Sequence, residues 1–301
     1  MFIMKKLSLM LTVFAFAAVF CSCDKDELGV YSPKMRISQV YNEVDAHTLR
    51  EQWTWNGELL SKIDYYRKNG NVEYTETYLY DGNRISRIER DNKHTDFIYD
   101  GKTLTAMNTY SGDKLTESYT LEYTKHKLTK ISIEKYGKSL EDNYLLNMFL
   151  PDGGQSLAAC KTLRGDKAES YNFSTAEVEL QWDGDNVEYM RMTLQRPDSV
   201  QNLVFSYRYD DGINVRNPLF ILQVDHQLLN DQPQTLLFSK NNVISVYVTD
   251  RYDIFSDSES FTYSYDYYKK YPMKVYSTFM GIDHTTGTYK PDSLLLYSYR
   301  Y

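Results

Sequence analysis

One pattern returns along most of this chain and constrains it more than any other feature. An aromatic residue stands before a turn, with an apolar residue two positions earlier and others five and eight positions later. Trp53-Thr54-Trp55-Asn56-Gly57 leads to Leu60 and Ile63, Tyr78-Leu79-Tyr80-Asp81-Gly82 to Ile85 and Ile88, and Phe97-Ile98-Tyr99-Asp100-Gly101 to Leu104 and Met107. Leu121 and Tyr123 lead to Leu128 and Ile131, Leu180 and Trp182 to Val187 and Met190, and Leu236 and Phe238 to Val243 and Val246. Tyr207/Tyr209 and Tyr263/Tyr265 share the front half, with longer turns toward Pro218 and Pro272. Ile37 and Val40 form a back half whose front is missing.

Recurrence of this kind marks one supersecondary unit used many times. Alternation with period two puts both front aromatics on one face of a strand. Asn-Gly or Asp-Gly then supplies the positive φ of a tight hairpin turn. The residue at the fifth position is out of phase with the one at the eighth, so it packs under the turn or marks a β-bulge. Between the apolar positions lie Lys, Arg, Glu, Thr and Ser, as at Ser86-Arg87 and Thr129-Lys130. One apolar, aromatic face and one wet face are the antiparallel signature. The expectation is an all-β, antiparallel up-and-down meander of repeated hairpins, closed as a rolled sheet or a soluble barrel with an aromatic interior. Residues 35–301 read as one domain, with a weak seam at 137–175 where the anchor spacing fails.

The N-terminus gives an address. Lys5 and Lys6 precede an apolar run over residues 7–20. As a helix it would rise about 21 Å, short of the roughly 30 Å hydrocarbon core, so a secretory signal fits better than an anchor helix. Ser22-Cys23 then resembles a bacterial lipobox, which implies a signal peptide over 1–22, acylation of Cys23 and an acidic tether over 23–34. Asp24-Lys25-Asp26-Glu27 is similar to the surface-export tag of Bacteroidetes lipoproteins. Removing residues 1–22 takes two lysines and no acid, so the formal charge of −7 falls by two more units. Such an acidic chain lacks the basic footprint that nucleic acid requires. With Cys21 removed and Cys23 acylated, Cys160 is the remaining thiol, and it reads as a buried small residue.

Tyr80-Asp81-Gly82-Asn83-Arg84-Ile85 and Tyr99-Asp100-Gly101-Lys102-Thr103-Leu104 resemble the YD repeat of Rhs-type proteins, although here Gly follows Asp directly. The whole layout is more similar to a Bacteroidetes lipoprotein family of unknown function with a porin-like fold. The features that carry this are the lipobox, Trp182-Asp183-Gly184-Asp185-Asn186-Val187, Phe238-Ser239-Lys240-Asn241-Asn242-Val243 and the final Tyr297-Ser298-Tyr299. That resemblance implies an outer-membrane lipoprotein facing the cell surface. It transfers no catalytic residue, metal or cofactor.

Chemistry-bearing motifs are scarce. No HExxH, Cys/His cluster, GxSxG or phosphate loop occurs, and His47, His94, His126, His226 and His284 are widely spaced. Asp183-Gly184-Asp185-Asn186 opens like a calcium loop but lacks the closing Glu, so it reads as a turn. The expected role is therefore non-enzymatic, binding or structural, attached to the membrane through Cys23 and able to take a carbohydrate or other small ligand. A glycan-active enzyme and an outer-membrane β-barrel are the alternatives. Mid-strand Arg87, Lys130 and Glu188 on the wet face disfavour the membrane barrel, which needs an apolar outer band. Any ligand surface is expected at Tyr267, Tyr268 and Tyr271, which break the phase of the repeat, together with a nearby loop over 250–260.

Overall fold

The computed structural model describes residues 29–44, 46–136, 140–141, 172–173, 175–195, 200–216, 239–250, 259–283 and 288–301. The first hairpins are built by β1 (Gln39–Asn42), β2 (Thr48–Asn56), β3 (Leu59–Tyr66), β4 (Val72–Asp81) and β5 (Arg84–Arg90). They continue through β6 (Lys93–Asp100), β7 (Thr103–Ser111), β8 (Lys114–Thr124) and β9 (Lys127–Lys135). After a short ribbon, β10 (Leu140–Glu141) with β11 (Asn172–Phe173), come β12 (Thr175–Asp183), β13 (Asn186–Gln195), β14 (Val200–Ile213) and β15 (Asn241–Asp250). The last strands are β16 (Glu259–Tyr268), β17 (Tyr271–Asp283) and β18 (Thr288–Arg300). All except the ribbon form one closed sixteen-stranded antiparallel barrel in which neighbours in space are neighbours in sequence. β9 pairs directly with β12 from Lys130↔Glu179 to Glu134↔Thr175, so the ladder runs unbroken across the 137–175 interval.

The register settles the fifth position as a bulge. In the first hairpin Thr54 faces Lys62 while Trp55 faces Leu60, which leaves Ser61 as an extra residue. Ser86, Thr105 and Thr129 are the extra residues of the next turn-end hairpins. The Ser61, Thr105 and Thr129 hydroxyls donate to the carbonyl across the bulge, at 3.0, 3.2 and 3.3 Å. Each bulge resets the phase, so the fifth and eighth residues both face inward. It also exposes the fifth residue's carbonyl, and the neighbouring hairpin's anchor aromatic takes it. Trp55, Tyr80, Tyr99, Tyr123, Trp182, Tyr209, Tyr265 and Tyr301 donate to the carbonyls of Ile37, Leu60, Ile85, Leu104, Leu128, Val187, Val243 and Pro272. These bonds, 2.5–2.8 Å long, girdle the turn end of the barrel.

Two parts of the expected repeat are revised. The missing front of the Ile37/Val40 unit is the C-terminal strand: β18 pairs with β1, with Tyr299 opposite Val40. The front of the Val243/Val246 unit is Tyr207/Tyr209, not Leu236/Phe238, because Tyr209 faces Val243 and Tyr207 faces Val246. A phenylalanine has no donor with which to make the girdle bond. Phe238 itself lies outside the described residues.

A closed single-layer barrel has only a lumen and an outside, so fully buried side chains point inward. Leu60, Ile63, Tyr65, Ile85, Ile88, Met190, Phe205 and Tyr297 are all wholly buried and belong to one hydrophobic core. Alternate positions face out and are polar: Arg87 bonds Asp96 at 2.5 and 3.0 Å, and Lys130 bonds Glu177 at 2.8 Å. The turn end is closed by the chain before β1. There Tyr31 lies 5.9 Å from the Trp55 ring, and its hydroxyl donates at 2.7 Å to the Val215 carbonyl beyond β14. Beside it Arg216 donates to both oxygens of Glu51 on β2, at 2.8 and 3.0 Å, with both side chains buried. Trp53 Nε1 donates to the same carboxylate at 2.7 Å.

Candidate functional site

The three tyrosines singled out by sequence sit together at the β16–β17 turn but engage different neighbours. Tyr267 is half-buried, and its ring stacks on Tyr265 with centroids 5.7 Å apart. Its hydroxyl donates to Asp210 and accepts from Asn242 Nδ2 at 3.0 Å. Burial pushes this phenol far above its ordinary pKa, so it is a fixed donor at neutral pH. Gly212 passes so close that a Cβ there would lie 2.4 Å from the phenolic oxygen. Tyr268 is 57% exposed, with Lys269 Nζ 5.5 Å from the centre of its ring. Tyr271 packs edge-on against Tyr301 at 6.0 Å.

The two described ends of the loop over 250–260, Asp250 and Glu259, lie away from this turn. β15 leaves the turn end at Asn241 and reaches the other end at Asp250, and β16 starts back from Glu259. A full strand length therefore separates that loop's ends from Tyr267. Residues 251–258, like Cys23 and Cys160, lie outside the described residues. Asp183-Gly184-Asp185-Asn186 forms a hairpin turn in which Asp185 is held by Lys127 at 3.0 Å and Lys240 at 3.2 Å. Both ammonium groups hold its carboxyl below the usual range. No group of three His, Cys, Asp or Glu close enough to hold a metal occurs among the described residues.

Two polar features were not foreseen. The first is inside the wall. Glu76 on β4 is fully buried and accepts from the hydroxyls of Tyr65 at 3.0 Å and Tyr78 at 3.1 Å. Burial pushes its pKa up to about 7, against the pull of nearby Arg90. Tyr119 donates at 2.6 Å to Glu117, which also pairs with Lys135. Glu51, Glu76 and Glu117 all fall on the inward phase of their strands, which is the signal that could have found them.

The second feature is on the outer face. A groove of about 550 Å³ crosses β12 to β15 near the turn end, lined by Gln181, Glu188, Tyr189, Ser206, Arg208 and Tyr247. Tyr189 faces Ser206 and Ser206 faces Tyr247, so one row of the sheet carries Tyr, Ser and Tyr on adjacent strands. The bulges at Gln181/Trp182 and Arg208/Tyr209 lie at this level, where a bulge increases the local twist of the sheet.

No protein-family profile matches the chain, and no curated protein does. Solved structures do. A porin-like protein from Bacteroides vulgatus ATCC 8482 aligns over 89% of this chain and 99% of its own, with a TM-score of 0.52 and 10% identity. A porin-like protein from Bacteroides uniformis ATCC 8492 aligns over 89% and 98%, with a TM-score of 0.47 and 12% identity. The likeness to the first is one of fold: this chain is a porin-like all-β barrel.

Proposed function

We propose that this protein is a lipid-anchored, non-enzymatic barrel of the outer membrane, held by acylated Cys23 and standing in water at the cell surface. The observation that carries this reading is the sidedness of the wall. Its inward face is the apolar core, and its outward face bears the cross-strand pairs Arg87–Asp96, Lys130–Glu177 and Arg191–Glu179. A membrane-spanning barrel has the reverse arrangement, and each Arg or Lys on a lipid face costs about 2–4 kcal/mol at mid-bilayer. Several acyl chains on one cysteine, at about 0.8 kcal/mol per buried CH₂, give durable attachment without a spanning segment.

The second reading, a barrel inserted in the outer membrane, is favoured by the fold shared with a porin-like protein. Extraction separates the two. Cys23→Ala should give a folded, monodisperse protein in detergent-free buffer. A variant that stays with membranes, or unfolds without detergent, overturns the lipid-anchor reading and favours insertion. Turnover in a broad glycoside-hydrolase panel would overturn the non-enzymatic part.

A further inference from the structure

We infer that the outer groove over β12 to β15 is a saccharide-binding site, with Tyr189 and Tyr247 as stacking faces and Glu188, Arg208 and Gln181 as hydrogen-bonding groups. The inference rests on the water-facing wall proposed above.

At the groove the hairpin repeat departs from the pattern of its first four bulges. Of the later hairpins, β14–β15 and β16–β17 carry the apolar Ile244 and Met273 at the extra residue, and only β12–β13 places a charge there. At the extra residue of the bulge, four hairpins carry Ser61, Ser86, Thr105 and Thr129, and three of those hydroxyls close the bulge. The β12–β13 hairpin carries Glu188 there, exposed. At the next position, where the others have Lys62, Arg87, Ala106 and Lys130, it carries Tyr189. Neither change serves the girdle or the core. Local rules broken without a structural return are the mark of a functional position.

The chemistry then selects a ligand. Tyr189 and Tyr247 are two strand spacings apart, about 10 Å, so each can take its own ring of a bound chain. Tyr247 is 44% exposed. The negative face of an aromatic ring suits the C–H face of a pyranose. Glu188 only accepts hydrogen bonds, Arg208 only donates, and Gln181 and Ser206 do both, as a rim of sugar hydroxyls requires. Among the described residues Glu188 and Arg208 have no polar partner, whereas Arg191 and Glu179 nearby pair at 3.6 Å. An apolar ligand would strip water from both charges without replacing it. An anionic ligand would meet Glu188. The volume is within the range of small-ligand sites.

The test is calorimetric titration of the Cys23→Ala protein with maltohexaose, cellohexaose, xylohexaose and mannohexaose. At least one should bind. Tyr189→Ala and Tyr247→Ala should each weaken it by about tenfold or more. Glu188→Thr, which restores the residue type of the repeat, should also weaken binding while leaving melting unchanged or higher. Silence with all four sugars, or wild-type affinity in the Tyr189→Ala/Tyr247→Ala double variant, overturns the inference. So does competition of the bound sugar by a flat heteroaromatic such as flavin mononucleotide with no loss in Glu188→Thr. A protein that needs detergent fails at the earlier step, before any sugar is added, and so overturns the anchor reading separately.

Discussion

The Tyr99 hydroxyl donates a 2.7 Å hydrogen bond to the backbone carbonyl of Ile85 on the adjacent hairpin. Ile85 pairs with Tyr80 on the turn side of the β4–β5 bulge, next to its extra residue Ser86. The bulge and the anchor aromatic are thus one device, in which the first frees a carbonyl and the second satisfies it. This explains why the anchors are Tyr or Trp while the residue two positions earlier can be Phe97, Leu121 or Leu180. Removing the hydroxyl leaves a carbonyl without its partner, which costs about 1–2 kcal/mol. Tyr99→Phe should lose that much in urea denaturation. Tyr110→Phe, whose outward ring stacks on His94, should stay within about 0.5 kcal/mol of wild type. Equal stability of the two variants would remove the girdle as a stabilising element.

The hairpins, their aromatic anchors and the wet outer face were legible because each repeats, and repetition outweighs local ambiguity. What did not repeat was hidden. Tyr209 lost its partner Val243 to Phe238 because a long insertion separates them in sequence while the ladder joins them in space. Ile37 lacked a front because its partner strand lies at the far end of the chain, a closure that no local window contains. The buried acids Glu51 and Glu76 were passed over as polar, although alternation with Trp53 and Tyr78 places them inside. The outer groove is not legible from the wet face alone. Glu188 reads there as one more polar residue, and its departure from Ser61, Ser86, Thr105 and Thr129 shows only once the register places all five at the bulge.

The turns supply a stability test with two signs. Gly82 and Gly101 open their turns at φ of 64° and 58°, with nothing within 4 Å of where a Cβ would stand. Gly82→Val or Gly101→Val should therefore cost about 1–3 kcal/mol from backbone strain alone. The β8–β9 turn instead holds Lys125 and His126 at φ of 50° and 67°. Positive φ at both central positions calls for Asn-Gly. Lys125→Asn/His126→Gly should raise the melting temperature by about 2–4 °C, the response to about 1 kcal/mol in a domain of this size. An unchanged or lower melting temperature would mean that neighbouring side chains, not backbone preference, hold this turn.

Glu76 makes the barrel pH-sensitive. Its carboxyl titrates near 4.5 when unfolded and is raised to about 7 by burial in the folded state. Between those values the folded state binds more protons, so stability falls as pH rises. The contribution is complete below pH 4.5, declines through about pH 7 and amounts to a few kcal/mol, taking about 1.4 kcal/mol per pKa unit. Glu76→Gln keeps an acceptor for Tyr65 and Tyr78 but cannot ionise. Urea midpoints from pH 4.5 to 8 should decline more steeply for wild type than for Glu76→Gln, with the variant the more stable at pH 8. Parallel curves would show that Arg90 and the two phenols compensate the buried charge fully.

At the β16–β17 turn, capping and recognition predict opposite behaviour for adjacent residues. Tyr267 bonds a carboxylate and an amide on the β14–β15 side and rests against Gly212. Hydrogen bonds to a charged group contribute about 1.5–3 kcal/mol, so Tyr267→Phe should lower stability by that order. Tyr268 has an exposed ring, and Tyr268→Ser should change stability by less than about 0.5 kcal/mol. If this tip is instead a recognition surface, Tyr267→Phe would melt like wild type, because its hydroxyl would be reserved for a ligand. The geometry favours the cap: Asp210 and Asn242 already occupy the Tyr267 hydroxyl, Tyr271 is turned toward Tyr301, and the loop over 250–260 starts and ends at the other end of the barrel. Tyr268 is then the one tyrosine of the three whose loss the barrel should not register.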